Sequence, residues 1–274
     1  MAVDVQRPPA ARAAGPRPRR FAGRRRHTRV VLSVLSVLLG LLIWDLVSRN
    51  YTAFFLPSPR LTGQGAVELA TNGTLWDSVW ASSQRILSGW GLGVLIGVPV
   101  GLLMGRSRLL RLMLDPYIQF FRFVPPIAFV TLAIIWLGPG EASKIALIFY
   151  TTVFIVALNT LAGVLAVDEL KLRAARALGA GPVRTLASVI LPATVPYAVT
   201  GARLAMGNSF LTIVSAEIVA AQSGLGSLIW TARNYAKTEW VFVGIIALGL
   251  LGYLFDWVLR TVARASLRRY GVTF

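Results

Sequence analysis

Cysteine is absent from the 274 residues, and histidine occurs once, as His27. The first absence excludes disulfides, thiol nucleophiles, iron–sulfur clusters and thiolate-bound zinc. The second leaves no imidazole for a catalytic triad or a metal cage, since His27 sits in an arginine-rich stretch. Charge is scarce as well: Asp, Glu, Lys and Arg make up 14%, against about 25% in an average soluble chain. Hydrophobic residues fill the deficit at 55%. No enzyme activity and no metal site are expected of such a chain. It has too little polar surface for an ordinary soluble domain.

Acidic residues are scarcer than basic ones, 11 against 28, for a formal charge of +17. A charge of that size raises the question of nucleic acid, and its placement answers it. Nine arginines (7, 12, 17, 19, 20, 24, 25, 26 and 29) crowd the first 29 residues against Asp4 alone, and most of the rest sit in short clusters between long apolar runs. Those runs, at about 30–48, 84–104, 117–137, 144–166, 192–219 and 240–259, are long enough to cross a hydrocarbon core of about 30 Å at 1.5 Å per residue. Six spans place both termini on one side. On that side fall the nine tail arginines, Arg106, Arg108, Arg111, Lys171, Arg173, Arg176, Arg184, Arg260, Arg264, Arg268 and Arg269, twenty of the 28 basic residues. Six basic residues, Arg49, Arg60, Arg85, Lys144, Arg233 and Lys237, fall opposite. The positive-inside rule then assigns both termini to the cytoplasm. Trp44, Trp76, Trp80, Trp136, Trp230 and Trp240 fall near the outer ends, where indoles anchor, and Trp257 marks the inner end of the last span. No nucleic-acid partner is expected; the partner of the apolar surface is membrane lipid.

The expected organisation is a disordered basic cytoplasmic tail over 1–29 and a single transmembrane domain over 30–274. The first run, too long for a signal-peptide core and lacking a small-residue cleavage pattern at Trp44–Asn50, reads as an uncleaved anchor. Pro57, Pro59 and Gly63 break the chain into an outer connection reaching about Asn72, and a helical pattern resumes at Thr74. That helix carries Gly89, Gly93, Gly97, Gly101 and Gly105, a ladder four residues apart along one face. Such a smooth face admits close approach of another helix, or lines a route for a solute. Pro125 and Pro126 predict a break in the third span: each lacks an N–H, and the second disfavours helix at the first. Ser107–Arg122 then becomes an interfacial amphipathic helix and the remaining span starts near 126. Broken helices at membrane depth lean toward transport.

The stretch Asp168–Pro192 reads DELKLRAARALGAGPVRTLASVILP. Asp168 is an N-cap, Glu169 suits the positive helix start, Leu170, Ala174, Ala177 and Leu178 form one apolar stripe, and Gly179 with Gly181-Pro182 ends the helix. From the residues alone this is either a connector lying on the membrane surface or a docking element. The run resembles the EAA loop of permease subunits of bacterial ABC importers, a pattern of E-A-A, three residues, Gly, nine residues and I-x-L-P. Ala174-Ala175, Gly179 and Leu191-Pro192 hold that spacing; Arg173 stands where Glu is usual and Val189 where Ile is usual. FVPPIAFVTLAIIWLGPGEASK at Phe123–Lys144 and AEIVAAQSGLGSLIWTARN at Ala216–Asn234 are similar to the branch that handles aliphatic sulfonates, taurine and nitrate.

The resemblance covers about 74–264 and implies an all-α, polytopic, six-helix permease of the type I ABC importer fold in the bacterial plasma membrane. It implies that two permease subunits, copies of one chain, form the pathway. A coupling loop at about 167–191 would dock on cytoplasmic ABC ATPase subunits through Leu170, Arg173, Ala174, Ala175, Leu178 and Gly179. A separate extracytoplasmic binding protein would deliver the substrate. ATP and Mg would belong to the ATPase, and indeed no G-x-x-x-x-G-K-[ST] phosphate loop occurs here.

Span five carries two charges. At 100° per residue, Arg203, Gly207, Phe210, Val214 and Glu217 lie within about 40° of one line. Both charges are expected to face protein or water, because lipid exposure costs about 2.5–3.5 kcal/mol each. Two readings stand: a pathway stripe on which Arg203 attracts an anion, or an Arg203 paired to an acid on another helix, with Glu217 a structural or gate-side group. Asp45, Asp256, Arg85 and Lys144 are read as snorkelling or anchoring at span ends. Outside the permease reading stand an ion-coupled transporter or channel and a membrane scaffold or sensor.

Overall fold

A computed structural model describes residues 22–267, all of its regular elements being helical among the described residues. Helix α1 (Ala22–Ser48) begins inside the stretch expected to be a disordered tail; the first 21 residues of that tail, with Arg268 and Arg269, lie outside the described residues. It belongs to a unit ending at Asn50, and positions 31–43 are exposed throughout, which in this apolar run means contact with lipid. Asp45 pairs with Arg49 one turn on, at 2.6 Å.

The second unit starts at Tyr51. Its first helix, α2 (Pro59–Thr71), falls where an irregular connection was expected. The reason is local: the Ser58 hydroxyl accepts a hydrogen bond from the Leu61 N–H at 3.2 Å, and Pro59 sits in the first turn, where its missing N–H costs nothing. Helix α3 (Thr74–Arg106) and α6 (Glu141–Leu165) then run parallel and make the central seam of the unit. A Cβ placed on any of the five ladder glycines would come within 3 Å of α6. The facing residues, Ile148, Thr152, Val156, Thr160 and Val164, keep a constant offset of 59 from Gly89, Gly93, Gly97, Gly101 and Gly105. The ladder is a helix–helix seam rather than a solute route.

Between them the expected third span is two segments. Amphipathic α4 (Arg108–Phe121) ends before the prolines, and a 3-10 turn at Pro126–Phe129 leads into α5 (Val130–Leu137), bent from α4 by 93°. At the break the Phe121 carbonyl accepts from the Val124 N–H, and the Tyr150 hydroxyl of α6 donates to the carbonyls of Phe121 and Val124. Leu114 and Ile118 of α4 pack on Met104 and Leu161, while Leu109, Leu112, Met113, Tyr117 and Phe120 are exposed.

After α6 come α7 (Glu169–Ala177), α8 (Pro182–Thr185), one wide π turn at Leu186–Ile190, and α9 (Leu191–Ala220), antiparallel to α6. Here small polar groups meet: Thr151 with Thr212 and Thr152 with Ser209, each at 3.3 Å between hydroxyls. Such contacts contribute about 0.6 kcal/mol each on average within a bilayer. Helix α10 (Leu225–Asn234), unforeseen in the sequence, and α11 (Thr238–Ser266) close the unit; Leu69, Leu225, Leu228, Val243 and Leu251 form the core joining α2, α10 and α11. Among the described residues five continuous helical stretches are apolar and long enough to cross a membrane, six if the bent pair α4–α5 counts as one crossing.

A methyl group at Gly101 meets the Ala157 carbonyl and Thr160, whereas Gly91 on the same helix has open space. Gly101→Ala is expected to destabilise by about 1–3 kcal/mol. Gly91→Ala is expected to be neutral or slightly stabilising. Thermal unfolding of the two variants in detergent compares them directly; equal midpoints would mean that the seam tolerates the methyl.

Candidate coupling loop and buried ion network

Two sites stand at opposite ends of the second unit. At one end α7 juts out between α6 and α9. The Asp168 carboxylate accepts from the Leu170 N–H at 2.8 Å, capping the helix, and Gly179 at φ +77 ends it, a conformation that a side chain would strain. Arg173 binds Glu169 at 2.9 Å with both side chains exposed, so the pair contributes little stability and is free to exchange partners. Leu178 and Val183 are 86% and 80% exposed, the two largest values among the large hydrophobic residues that lie open, and Leu170 is exposed too. Ala174, Ala175 and Leu178 share with Lys171, Arg184 and Pro192 the lining of a cleft of about 730 Å³. The result is a short, small-faced helix with aliphatic tips and a basic surround.

At the other end Arg85, read from sequence as an interface anchor, is instead buried at 4% exposure, together with Lys144. Its Nε donates to Glu141 Oε2 at 2.5 Å and Nη2 to Glu141 Oε1 at 2.8 Å. Nη1 reaches Glu217 Oε1 at 2.7 Å and the Ser223 carbonyl at 2.6 Å, and Nη2 also the Ser223 hydroxyl at 3.2 Å. Every N–H of the guanidinium therefore has an acceptor. Glu217, fully buried, also accepts from the Ser82 hydroxyl at 2.8 Å and the Gly226 N–H at 2.8 Å; Lys144 Nζ completes the group on Glu141 at 3.0 Å. Two cations and two carboxylates balance, joining α3, α6, α9 and the turn into α10. A signal for this was present. Arg85 lies one rung before Gly89, so the ladder points it at α6, and the same offset of 59 lands on Lys144. Two facing cations require acids, and Glu141 and Glu217 are the ones that arrive.

The stripe on α9 is divided. Arg203 binds Asp256 on α11 through Nε at 3.0 Å and Nη2 at 2.9 Å, and Phe210 stacks edge-on against Phe255 with centroids 5.7 Å apart. Glu217 is in the network. Gly207 is exposed, as are Thr200, Leu204 and Leu211 beside it, and Val214 is half-buried. The stripe thus runs along the border between the flank of α9 packed on α11 and its open face. Asp256 is not a snorkelling end group, since Arg203 and Arg260 both hold it.

Removing Arg85 would leave Glu217 charged and desolvated. Arg85→Leu is expected to cost about 3–5 kcal/mol, and Arg85→Leu with Glu217→Leu to recover part of that loss, read as thermal midpoints in detergent. A double variant no more stable than the single would show that the stranded carboxylate is not the source.

The geometry of a helix bundle with a jutting loop has known counterparts. Residues 93–268 match the family described as binding-protein-dependent transport system inner membrane component. A probable ABC transporter permease protein of Brucella melitensis is 40% identical over 239 residues, 87% of this chain and 97% of the relative. The taurine transport system permease protein of Escherichia coli is 37% identical over 242 residues, 86% of this chain and 88% of the relative. Among solved structures, the methionine ABC transporter in inward-facing conformations superposes with a TM-score of 0.59 at 20% identity, covering 70% of this chain and 98% of that one, a likeness of fold. With loop, bent crossing and matched span in agreement, the chain belongs to the binding-protein-dependent inner-membrane transport components and is a multi-pass permease subunit of an ABC importer.

Proposed function

We propose that two copies of this chain form one translocation pathway, with both termini of each on the cytoplasmic side, and that α7 carries the ATPase stroke into it. Leu170, Arg173, Ala174, Ala175, Leu178 and Gly179 seat in a groove of a cytoplasmic ABC ATPase, which holds the ATP and Mg. The observation that carries this reading is the exposure of Leu178 and Val183, the most open large aliphatic side chains among the described residues, on a segment otherwise rich in charge. The basic clusters around the same end support its cytoplasmic placement. A binding protein on the other side delivers the solute.

The pathway runs along the open face of α9, where Gly207 leaves room and Val214 borders it, with Arg203, Phe210 and Glu217 on the flank that fixes that face against α11, α3 and α10. The substrate class is a small oxyanion such as an aliphatic sulfonate, taurine or nitrate. Support for it comes from the identity with the taurine permease.

Deletion of Arg173–Gly179 is expected to abolish co-purification of the ATPase while the chain still inserts in the membrane. Leu178→Asp is expected to weaken the association by about 2 kcal/mol, roughly thirtyfold. Pull-down from solubilised membranes, with membrane yield as the insertion check, measures both. Normal ATPase recovery from both variants would overturn the assignment of α7.

A further inference from the structure

The break between α4 and α5 places an arginine inside the membrane. Helix α6 has 25 residues and is about 37 Å long, and Tyr150, nine residues after Glu141, stands about 14 Å along it. The Tyr150 hydroxyl donates to the Phe121 carbonyl. Arg122, the next residue, therefore lies near mid-height of α6, well within a hydrocarbon core of about 30 Å. A charge at that depth is costly in lipid, and it marks a functional site unless an acid pairs with it. Arg122 is exposed and forms no salt bridge among the described residues. Its guanidinium lies over the ring of Phe123, 4.4 Å from the centroid, and Phe123 is itself 72% exposed. The nearest acid along the chain, Asp115, is two turns back on α4 and takes the Gln119 amide at 3.3 Å. Non-helical backbone at membrane depth stands only where protein or a water-filled cavity covers it. Pro125, Ile127 and Ala128 are exposed at the break, so one side of it borders such a cavity.

Two further polar groups stand at about this level. Ser209 of α9 meets Thr152 at 3.3 Å, two residues from Tyr150, which brings its neighbour Asn208 to the height of the break. At 100° per residue, Leu211, Ser215, Asn208, Thr212 and Ala216 stand about 40°, 80°, 100°, 140° and 180° round α9 from Gly207. Gly207 and Leu211 are on the open face, whereas Thr212 meets Thr151 of α6 and Ala216 packs with Val130 and Ala133 of α5. Asn208 and Ser215 thus fall between the open face and the flank covered by α5 and α6. Both are half-buried, and neither side chain takes part in a hydrogen bond among the described residues. The turn at Pro126–Phe129, which Arg122 precedes, packs on α9 as well.

We propose that Arg122, Asn208 and Ser215 form a binding station for a small oxyanion partway along the translocation pathway. The station rests on the pathway and substrate class proposed above, and it names the groups of this chain that hold the solute. Arg122 supplies the charge and a fork of parallel N–H donors that matches a sulfonate or nitrate. The Asn208 amide and the Ser215 hydroxyl donate to the remaining oxygens.

The test is uptake by the whole transporter, permease with its ATPase and binding protein, in proteoliposomes, with labelled taurine, ethanesulfonate and nitrate as probes. For the probe carried fastest, Arg122→Gln is expected to lower the maximal rate about tenfold, the worth of one charge-assisted hydrogen bond. Arg122→Lys, which keeps the charge, is expected to stay within about threefold of the original rate. Asn208→Asp sets a carboxylate beside the solute and is expected to lower the rate about tenfold, which covers the case in which Arg122→Gln fails to fold. Arg233→Gln, on α10, is expected to keep the rate. An unchanged rate in Arg122→Gln or in Asn208→Asp, or an equal loss in Arg122→Lys and Arg122→Gln, overturns the station and leaves the pathway and the substrate class standing. No uptake of any probe by the original transporter overturns the substrate class, and the station with it.

Discussion

Inside a bilayer, burying a leucine against another helix gains little over burying it in lipid, so what holds helices together is closeness of contact and the pairing of polar groups. The α3–α6 seam supplies the first. With no side chain at Gly89, Gly93, Gly97, Gly101 and Gly105, the α3 backbone approaches until the residues of α6 touch it directly. Other elements are placed against this pair: α9 lies antiparallel along α6, α4 and α5 fold back on its flank, and α11 packs on α9 and α10 and touches α3 beside Leu75 and Val79. The methyl-free face of one helix thus sets where the rest of the bundle stands.

Polar pairing supplies the second, and it is concentrated at one end. The Arg85 network ties α3, α6, α9 and the turn before α10 at a single point, and its five guanidinium bonds fix the direction of each participant. Gly224, at φ +120, is packed so closely on the Glu217 carboxylate that a side chain there would collide with it. The turn into α10 is therefore built around the charge. At the other end the charges face outward, on α7, with Arg173 and Glu169 both exposed.

Much of this was legible before any coordinates. The ladder period, the Pro125-Pro126 interruption, the Asp168 cap and the Gly179 stop are local rules, and each concerns a few neighbouring residues. The position of Arg85 required joining two of them, the ladder and its continuation by one rung; read singly, an arginine near a span end looks like an anchor. Helices α2 and α10 were not legible. Pro57, Pro59 and Gly63 read as breakers, whereas Trp240 and Glu239 pack onto Gly65 and hold α2 in place, and at the start of α10 the Leu225 N–H donates to the hydroxyl of Ser82, far away in the chain. Long-range partners decide such segments, and a window along one chain does not contain them.

The constant offset between α3 and α6 has a mechanical meaning. Sliding one helix by a turn would drive Ile148 or Thr152 into a different rung and pull Arg85 away from Glu141, so the pair resists shear along its whole length and is pinned at one end. The α6–α9 seam has close approaches of its own, Gly163 against Tyr197 and Gly201 against Asn159, beside the hydroxyl contacts of Thr151, Thr152, Ser209 and Thr212. The two parallel helices keep one register along their length, and the Arg85–Glu217 bond carries that register across to α9.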